Sequence, residues 1–205
     1  MPGSWLYDLL YRVGAPWEGG PRSELVELVE SGRLSAEVLS PGRAIDLGCG
    51  SGANAIFLAH HGFDVVGVDF SPVALAKAQR AAARSGAKAV RFVRGDLTAT
   101  AVATVDGPFD LLVDYGTLDD LSAEGRRRMA ALVANLARPG ALFLLWCFYG
   151  ARDDLPRMSF SGPSRIAPGI EPGEAEALFG AAFEIERLPK PAPPEPYACF
   201  LMTRQ

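Results

Sequence analysis

The chain has 205 residues, of which 49% are apolar, and this length and composition favour one compact globular domain. Its 20 basic and 24 acidic residues give a net charge of −4 with no long run of like charge, which argues against a nucleic-acid partner. No apolar run approaches the roughly 18 residues of a membrane span, and the three cysteines form no C-x-x-C pair. We therefore expect a cytoplasmic protein with reduced, buried thiols and no membrane partner.

The first 42 residues precede the regular alternation of strands and helices. Three aromatic residues, Tyr7, Tyr11 and Trp17, lie in a first half that glycine and proline interrupt between positions 14 and 20. Ser23 is suited to the N-cap of a helix whose apolar residues would dock on the rest of the protein. We expect residues 1–42 to form a lid and a helical segment, in front of a ligand-binding domain at residues 43–205.

From Arg43 onward, short β-type runs alternate with helical patterns. The strands are predicted at "RAIDL" (43–47), "DVVGVD" (64–69), "AVRFV" (89–93), "FDLLVDY" (109–115) and "ALFLLWCF" (141–148), with helices within 51–62, 71–86 and 122–138. These strands are nearly continuous apolar runs, as in a parallel sheet that helices cover on both faces. The pattern predicts a doubly wound α/β fold.

The last third of the chain differs in character. Residues 149–172 have no periodicity and are rich in proline, glycine and serine, which makes them a candidate functional loop. A short helix at 173–180 leads to two strands, "FEIERL" and "YACFLMT", joined by the proline-rich "PKPAPPEP". This connector is too short for a crossover helix and is expected at the surface, so the two strands should be antiparallel neighbours.

The loop "DLGCGSGANA" at 46–55 has the composition of a ligand-binding turn. A phosphate-binding P-loop is excluded, because no Lys followed by Ser or Thr comes after its last glycine. A dinucleotide site remains open, since Gly48, Gly50 and Ala53 fit G-x-G-x-x-A and Asp69 lies at the right distance for ribose hydroxyls. The Asp46 carboxylate would repel a pyrophosphate, and this favours a ligand with a positively charged group.

Four ordered segments, "AIDLGCGSGANAIFLA", "VVGVDFSPVALAKAQ", "VRFVRGDL" and "FDLLVDYGTLDDL", resemble the motifs of the class I S-adenosylmethionine-dependent methyltransferases. The resemblance covers about residues 43–148. It implies a mostly parallel, seven-stranded, Rossmann-like sheet with an antiparallel last strand. It also implies S-adenosylmethionine as the cofactor and methyl transfer as the reaction. A binding module without activity and, more distantly, a nicotinamide-dependent oxidoreductase are the alternatives.

The same resemblance implies a cofactor role for eight residues. Asp46 and the backbone of Gly48, Cys49 and Gly50 meet the methionine moiety, and Asp69 accepts hydrogen bonds from both ribose hydroxyls. Phe70 lies along the adenine, which Asp96 and the backbone amide of Leu97 recognise. Two further residues, Asp114 and Trp17, are assigned to the cofactor, Trp17 as a cover.

A general base is not evident, because relatives often carry histidine after the fourth strand where this chain has Asp119 and Asp120. These two carboxylates and Tyr115 are the catalytic candidates. The carboxylates would orient a basic acceptor or, in the interpretation we favour, precede a helix N-terminus at Ser122 as favourable charges. No metal is expected, and the missing histidine favours a soft or already ionised nucleophile.

The segment "APWEGGPRSELVELV" is similar to one in small-molecule methyltransferases of the thiopurine, halide and tellurite-resistance kind. A small, partly apolar methyl acceptor is therefore expected, and the sequence leaves the oligomeric state open. The candidate acceptor-binding residues are aromatic and lie in the lid or at strand ends: Tyr7, Tyr11, Tyr115, Trp146, Phe148 and Tyr149. Core packing is the alternative role, above all for Trp146.

Overall fold

The computed structural model describes residues 4–155, 169–189 and 196–205. The helices are α1 (Ser4–Val13), α2 (Ser23–Glu30), α3 (Ala53–His60), α4 (Pro72–Ser85), α5 (Ala123–Leu136) and α6 (Glu174–Phe179). The strands are β1 (Arg43–Leu47), β2 (Asp64–Asp69), β3 (Val90–Arg94), β4 (Phe109–Tyr115), β5 (Ala137–Phe148), β6 (Phe183–Arg187) and β7 (Tyr197–Arg204). Residues 156–168 of the candidate functional loop and 190–195 of the proline-rich connector lie outside the described residues.

The strands form one seven-stranded sheet in the order β3-β2-β1-β4-β5-β7-β6. Strands β1 to β5 pair in parallel, and β7 runs antiparallel to both β5 and β6. The predicted fold class is thus confirmed. No helix among the described residues is long and apolar enough to cross a membrane.

Local sequence signals explain most helix ends. Ser71 caps α4 by accepting a hydrogen bond from the Ala74 amide, and Pro72 takes the first helical position. Ser122 caps α5 in the same way through Gly125. At α2 the prediction is wrong by one position, because Ser23 is the first helical residue and its side chain caps no amide.

Two apolar cores cover the two faces of the sheet. On one face Ile45 and Leu47 of β1 pack with α5 and α6, and on the other Ala44 packs with α2 and α3. Strands β2 and β4 are buried almost throughout, which is why their sequences are nearly continuous apolar runs. The helix α1 belongs to neither core and packs on α4 through a small cluster around Tyr11, Ala15 and Ala74.

Candidate cofactor and acceptor site

The predicted site residues gather at the carboxyl end of the parallel strands. The strand order reverses between β1 and β4, and open α/β sheets bind ligands in the crevice outside such a reversal. Asp46 lies near the end of β1, Asp69 ends β2, and Asp114 lies near the end of β4. Parallel pairing therefore brings these three carboxylates to one edge of the sheet.

The loop from Gly48 to Gly52 connects β1 to α3 with three glycines in left-handed conformations. Gly48, Gly50 and Gly52 have φ angles of +77°, +52° and +85°. A Cβ on Gly48 would lie 1.9 Å from Oγ1 of Thr117, which itself donates a 3.1 Å hydrogen bond to the Leu47 carbonyl. The backbone of the glycine loop is thus packed directly against the loop after β4, with no space for a side chain.

We expect Gly48→Ala to lower the free energy of unfolding by about 2 to 4 kcal/mol, from backbone strain plus overpacking against Thr117. The matched control is Gly140→Ala, because Gly140 has a φ of +78° and a Cβ added there would meet nothing within 4 Å. Strain alone should cost this control about 1 kcal/mol. Chemical denaturation measures the free energy of unfolding of both variants. Equal losses would show that contact with Thr117 adds no destabilisation beyond the backbone strain.

Asp46 has a carboxyl oxygen that lacks a hydrogen-bond partner. The residue is 2% exposed, and its Oδ2 receives no donor from the described residues. Burial raises the pKa of this carboxyl to about 7, and the nearby Asp69 carboxylate contributes in the same direction. A buried, unpaired carboxyl oxygen is destabilising, so the site suits a ligand group that is cationic or carries N–H.

Asp69 links the glycine loop to the start of α4. Its Oδ2 accepts a 2.9 Å hydrogen bond from the Gly50 amide, and its Oδ1 accepts one of 2.8 Å from the Ser71 amide. Burial raises the pKa of the Asp69 carboxyl, whereas the hydrogen bonds from the Ser71 and Gly50 amides act in the opposite direction. Each carboxylate oxygen can accept a further hydrogen bond, so the fixed side chain has the capacity to accept from two ligand hydroxyls.

The other residues assigned to the cofactor have more varied surroundings. Both oxygens of Asp114 accept backbone hydrogen bonds of 2.9 Å, from Thr117 and Leu118, so this carboxyl organises the loop after β4. Burial raises the pKa of Asp114 to about 8. Asp96 is exposed and accepts hydrogen bonds from the amide and hydroxyl of Thr98.

Cys49 and Leu97 present their side chains to the interior of the protein. Both are buried, and a Cβ on Gly67 of β2 would lie 3.0 Å from the Cys49 sulfur. Burial raises the pKa of the Cys49 thiol well above its usual range. This is compatible with the sequence prediction, which assigns only backbone groups of these two residues to the cofactor.

Helix α1 and the segment after it cover the glycine loop with aromatic side chains. Tyr11 is 5% exposed, and its hydroxyl would lie 2.7 Å from a Cβ on Gly50. The Trp17 indole donates a 3.0 Å hydrogen bond to that hydroxyl. Tyr7 packs edge-on against Phe70, with ring centroids 5.3 Å apart.

Three polar contacts tie this covering segment to the domain. Tyr7 donates a hydrogen bond to Asp120 Oδ2 on the loop after β4. The Ser71 hydroxyl donates a 2.5 Å hydrogen bond to Asp8 in α1. Further along, Lys77 of α4 forms an ion pair with Glu18 at 2.8 Å.

The aromatic residues at the end of β5 separate onto two faces of the sheet. Trp146 packs against Phe148 and stacks on Tyr197 of β7, each with a centroid distance of 5.3 Å. The Arg22 guanidinium lies 6.0 Å from the Trp146 ring. Tyr149 instead packs on the other face, against Phe200.

The Tyr115 side chain belongs to the same face as Trp146, and its buried hydroxyl has no hydrogen-bond partner among the described residues. Asp119 is turned inward and is 1% exposed, so it does not serve as a surface charge before α5. Its Oδ2 accepts a 2.8 Å hydrogen bond from the Phe148 amide, whereas its Oδ1 is unpaired within the described chain.

Several residues of this region carried no local signal in the sequence, because each acts through a partner that is distant in the chain. They are Asp8, Arg22, Thr117 and Tyr197.

Comparison with known proteins identifies the family. Residues 44–140 match the family model described as a methyltransferase domain. The chain is 33% identical over 180 residues to a ribosomal protein L11 methyltransferase of Thermus thermophilus, which covers 80% of this chain and 67% of that protein. The chain belongs to the class I S-adenosylmethionine-dependent methyltransferases. This membership decides between the two ligands that the sequence left open, since the cofactor is S-adenosylmethionine.

One further relative agrees with this methyltransferase family, and a solved structure shares its fold. A 2-heptyl-1-hydroxyquinolin-4(1H)-one methyltransferase of Mycobacteroides abscessus is 31% identical over 134 residues, which are 65% of this chain and 56% of that protein. The chain thus spans little more than half the length of that relative. The crystal structure of a TehB-like SAM-dependent methyltransferase from Corynebacterium glutamicum superposes with a TM-score of 0.64 at 18% identity, covering 98% of this chain and 96% of that one.

The residues present in the methyltransferase fit this cofactor. The unpaired, buried Oδ2 of Asp46 suits the ammonium group of its methionine moiety, and Asp69 suits the ribose diol. Gly48, Gly50 and Gly52 carry no side chain, so the backbone at these positions could come close to a ligand.

Proposed function

We propose that this methyltransferase methylates a small molecule that is enclosed beneath the N-terminal segment. The observation that carries the proposal is the position of Tyr7, which contacts Phe70 beside Asp69 and also donates to Asp120 on the loop after β4. A covering segment that reaches both the loop after β2 and the loop after β4 favours an acceptor small enough to be enclosed. The net charge of −4 is unfavourable for RNA.

The aromatic side chains at the end of β5 favour a flat, partly apolar acceptor. Trp146, Phe148 and Tyr197 form an aromatic cluster at the strand ends, next to the loop after β4. The relative from Mycobacteroides abscessus is named for a quinolone acceptor, and such a ring would suit this cluster. Tyr7, Tyr11 and Tyr115 complete the proposed acceptor-side set, whereas Tyr149 would act only from the opposite face.

In this proposal the cofactor is held by the residues that the sequence assigns to it. S-adenosylmethionine supplies an electrophilic methyl group on a positively charged sulfur. Asp46 and the Gly48–Gly50 backbone hold the methionine moiety, and Asp69 binds the ribose. Phe70, Asp96 and Leu97 contact the adenine, and Trp17 covers the sulfonium end. The protein itself aligns the acceptor with the methyl group and excludes water from the site.

A methylation screen tests the proposed function. The purified protein is incubated with labelled S-adenosylmethionine and thiols, halides, phenols, carboxylates or 2-heptyl-1-hydroxyquinolin-4(1H)-one, and in parallel with ribosomal protein L11 and ribosomal RNA. We expect transfer to at least one small molecule and none to the macromolecules. Transfer to protein or RNA alone would overturn the small-molecule assignment while leaving the family intact.

The affinity for S-adenosylmethionine should rise about tenfold between pH 5.5 and pH 7. Asp46 must be ionised to pair with an ammonium group, and burial raises its pKa to about 7, so at lower pH binding has to expel a proton. Calorimetry in buffers of different ionisation enthalpy measures both the affinity and the protons released. Asp46→Asn should bind more weakly and lose most of this pH dependence, and a pH response equal to that of the wild type would contradict the assignment.

We also propose that residues 1–42 act as a lid and helical segment on a binding domain at 43–205, and that the protein works in the cytoplasm. The lid assignment is supported by the separate packing of α1 on α4. Three buried, unbridged cysteines fit a reducing compartment.

A further inference from the structure

Gly116 lies close to two groups of different chemistry. Gly116 follows β4 with a φ of +84°, and a Cβ built there would meet nothing nearer than 3.8 Å. The two nearest atoms at that distance are Oδ1 of Asp119 and Cζ3 of the Trp146 indole. An unpaired carboxyl oxygen and an aromatic edge therefore face the same point at the strand ends.

The Asp119 carboxyl is fixed in place but is not neutralised by a direct ion pair among the contacts of the described residues. Its Oδ2 accepts a hydrogen bond from the Phe148 amide, and its main-chain oxygen accepts one of 2.8 Å from Arg126. The Arg126 guanidinium is bound to that main-chain oxygen and, at 2.9 Å, to Glu174 of α6. One carboxyl oxygen is thus held firmly, while the other is buried and has no hydrogen-bond partner among the described residues.

We propose that Asp119 Oδ1 takes the proton of a hydroxyl or N–H nucleophile that the acceptor places above Gly116. This inference rests on the proposed function and deepens it, because it names the chemical class of the acceptor. It replaces the expectation from sequence that the nucleophile is soft or already ionised. The aromatic edge of Trp146 would contact the ring that carries the nucleophile.

The step balances without any further reagent. The nucleophilic oxygen or nitrogen gives an electron pair to the methyl carbon, the carbon–sulfur bond breaks, and its electron pair stays on sulfur. The proton of the nucleophile moves to Asp119 Oδ1 and leaves to water after the products separate.

Burial gives Asp119 a suitable proton affinity. It raises the pKa of this carboxyl to about 6, with Asp120 adding to the shift and Arg126 opposing it. The carboxyl is therefore mostly ionised at neutral pH and can accept a proton. The titratable and charged groups that face it from neighbouring elements are Tyr7 of α1, Asp114 of β4, Asp120 of the same loop, Arg126 of α5 and Cys147 of β5.

The other two catalytic candidates suit this task less well. Asp120 Oδ2 already accepts the hydrogen bond from Tyr7 and so belongs to the contact that holds the lid. Burial raises the pKa of Tyr115 far above neutrality, so its hydroxyl keeps its proton.

Infrared difference titration of the whole protein tests the inference without an acceptor. The carbonyl band of protonated carboxyls is followed from pH 4.5 to pH 8 in the wild type, Asp119→Asn and Asp120→Asn. We expect one band with a midpoint near pH 6 to vanish in Asp119→Asn and to persist in Asp120→Asn. Loss of the band near pH 6 in Asp120→Asn, with no band lost in Asp119→Asn, would assign the titration to Asp120 and overturn the inference.

Kinetics give a second readout, with 2-heptyl-1-hydroxyquinolin-4(1H)-one and benzenethiol as probes. Asp119→Asn should lower kcat for the hydroxyl probe by about 100- to 10,000-fold, with a much smaller loss for the thiol, and abolish the limb of the pH profile near pH 6. Equal losses on both probes with an unchanged pH limb would overturn the inference. Absence of turnover of every small molecule would instead count against the proposed function, and the infrared titration would still decide the role of Asp119.

Discussion

Asp69→Ala is expected to raise the dissociation constant for S-adenosylmethionine by about 30- to 1,000-fold, equivalent to 2 to 4 kcal/mol. The variant loses the carboxylate proposed to accept both ribose hydroxyls. It also loses the two hydrogen bonds by which Asp69 holds the Gly50 and Ser71 amides. The binding loss therefore combines missing contacts with a less ordered glycine loop, and isothermal titration calorimetry measures it.

The fold should persist in this variant, because the two apolar cores do not include the Asp69 side chain. Asp64→Ala is the matched control, since Asp64 begins the same strand and is exposed at its other end. The control should bind the cofactor with wild-type affinity, and circular dichroism should show that both variants are folded. An unchanged dissociation constant in folded Asp69→Ala would show that the ribose is bound elsewhere.

The fold was predictable because its signals are local. Strand β4 is buried along nearly its whole length, and this requirement appears directly as the apolar run "FDLLVDY". The caps at Ser71 and Ser122 act within three residues of their own position. The start of β5 was less predictable, since Ala137 to Gly140 already belong to the strand although Pro139 and Gly140 suggest a turn.

The cofactor edge was predictable for a related reason. Asp46 and Asp69 lie at or near the ends of neighbouring parallel strands, so the topology alone places them at the same edge of the sheet. Their hydrogen bonds were not predictable in detail. The unpaired oxygen of Asp46 depends on burial by several segments at once, which no single motif encodes.

The acceptor side was the hardest part to predict, because its contacts join distant segments. Tyr7 reaches Asp120 across 113 positions of the chain. Its position before α5 suggests a surface charge for Asp119, yet its carboxyl is buried and accepts a hydrogen bond from the distant Phe148 amide. Helix α1 lies in the segment for which the sequence predicts only a lid, although its ten residues have a regular amphipathic pattern.

Removal of residues 1–20 is expected to leave a folded domain with about tenfold weaker cofactor binding and roughly 100-fold lower turnover. The apolar cores on the two faces of the sheet contain no residue before Leu25, so their packing does not require the removed segment. What is lost is the cover over Gly50, together with the contacts of α1 to Ser71 and Asp120. Water then reaches the site and the acceptor is held less well, which lowers turnover more than affinity.

Point variants separate the proposed lid contacts from a general effect of truncation. Tyr7→Phe removes only the hydroxyl that donates to Asp120, and it should lower turnover while leaving the ring contact with Phe70. Trp5→Ala is the matched control on the same helix, because this side chain is 69% exposed and should have no role in closure. Turnover of an acceptor confirmed by the methylation screen is the measurement. Full activity in the truncated protein would mean that the segment is a surface appendage, whereas equal losses in Tyr7→Phe and Trp5→Ala would mean that α1 acts through the exposed face of the helix rather than by closing over the cofactor.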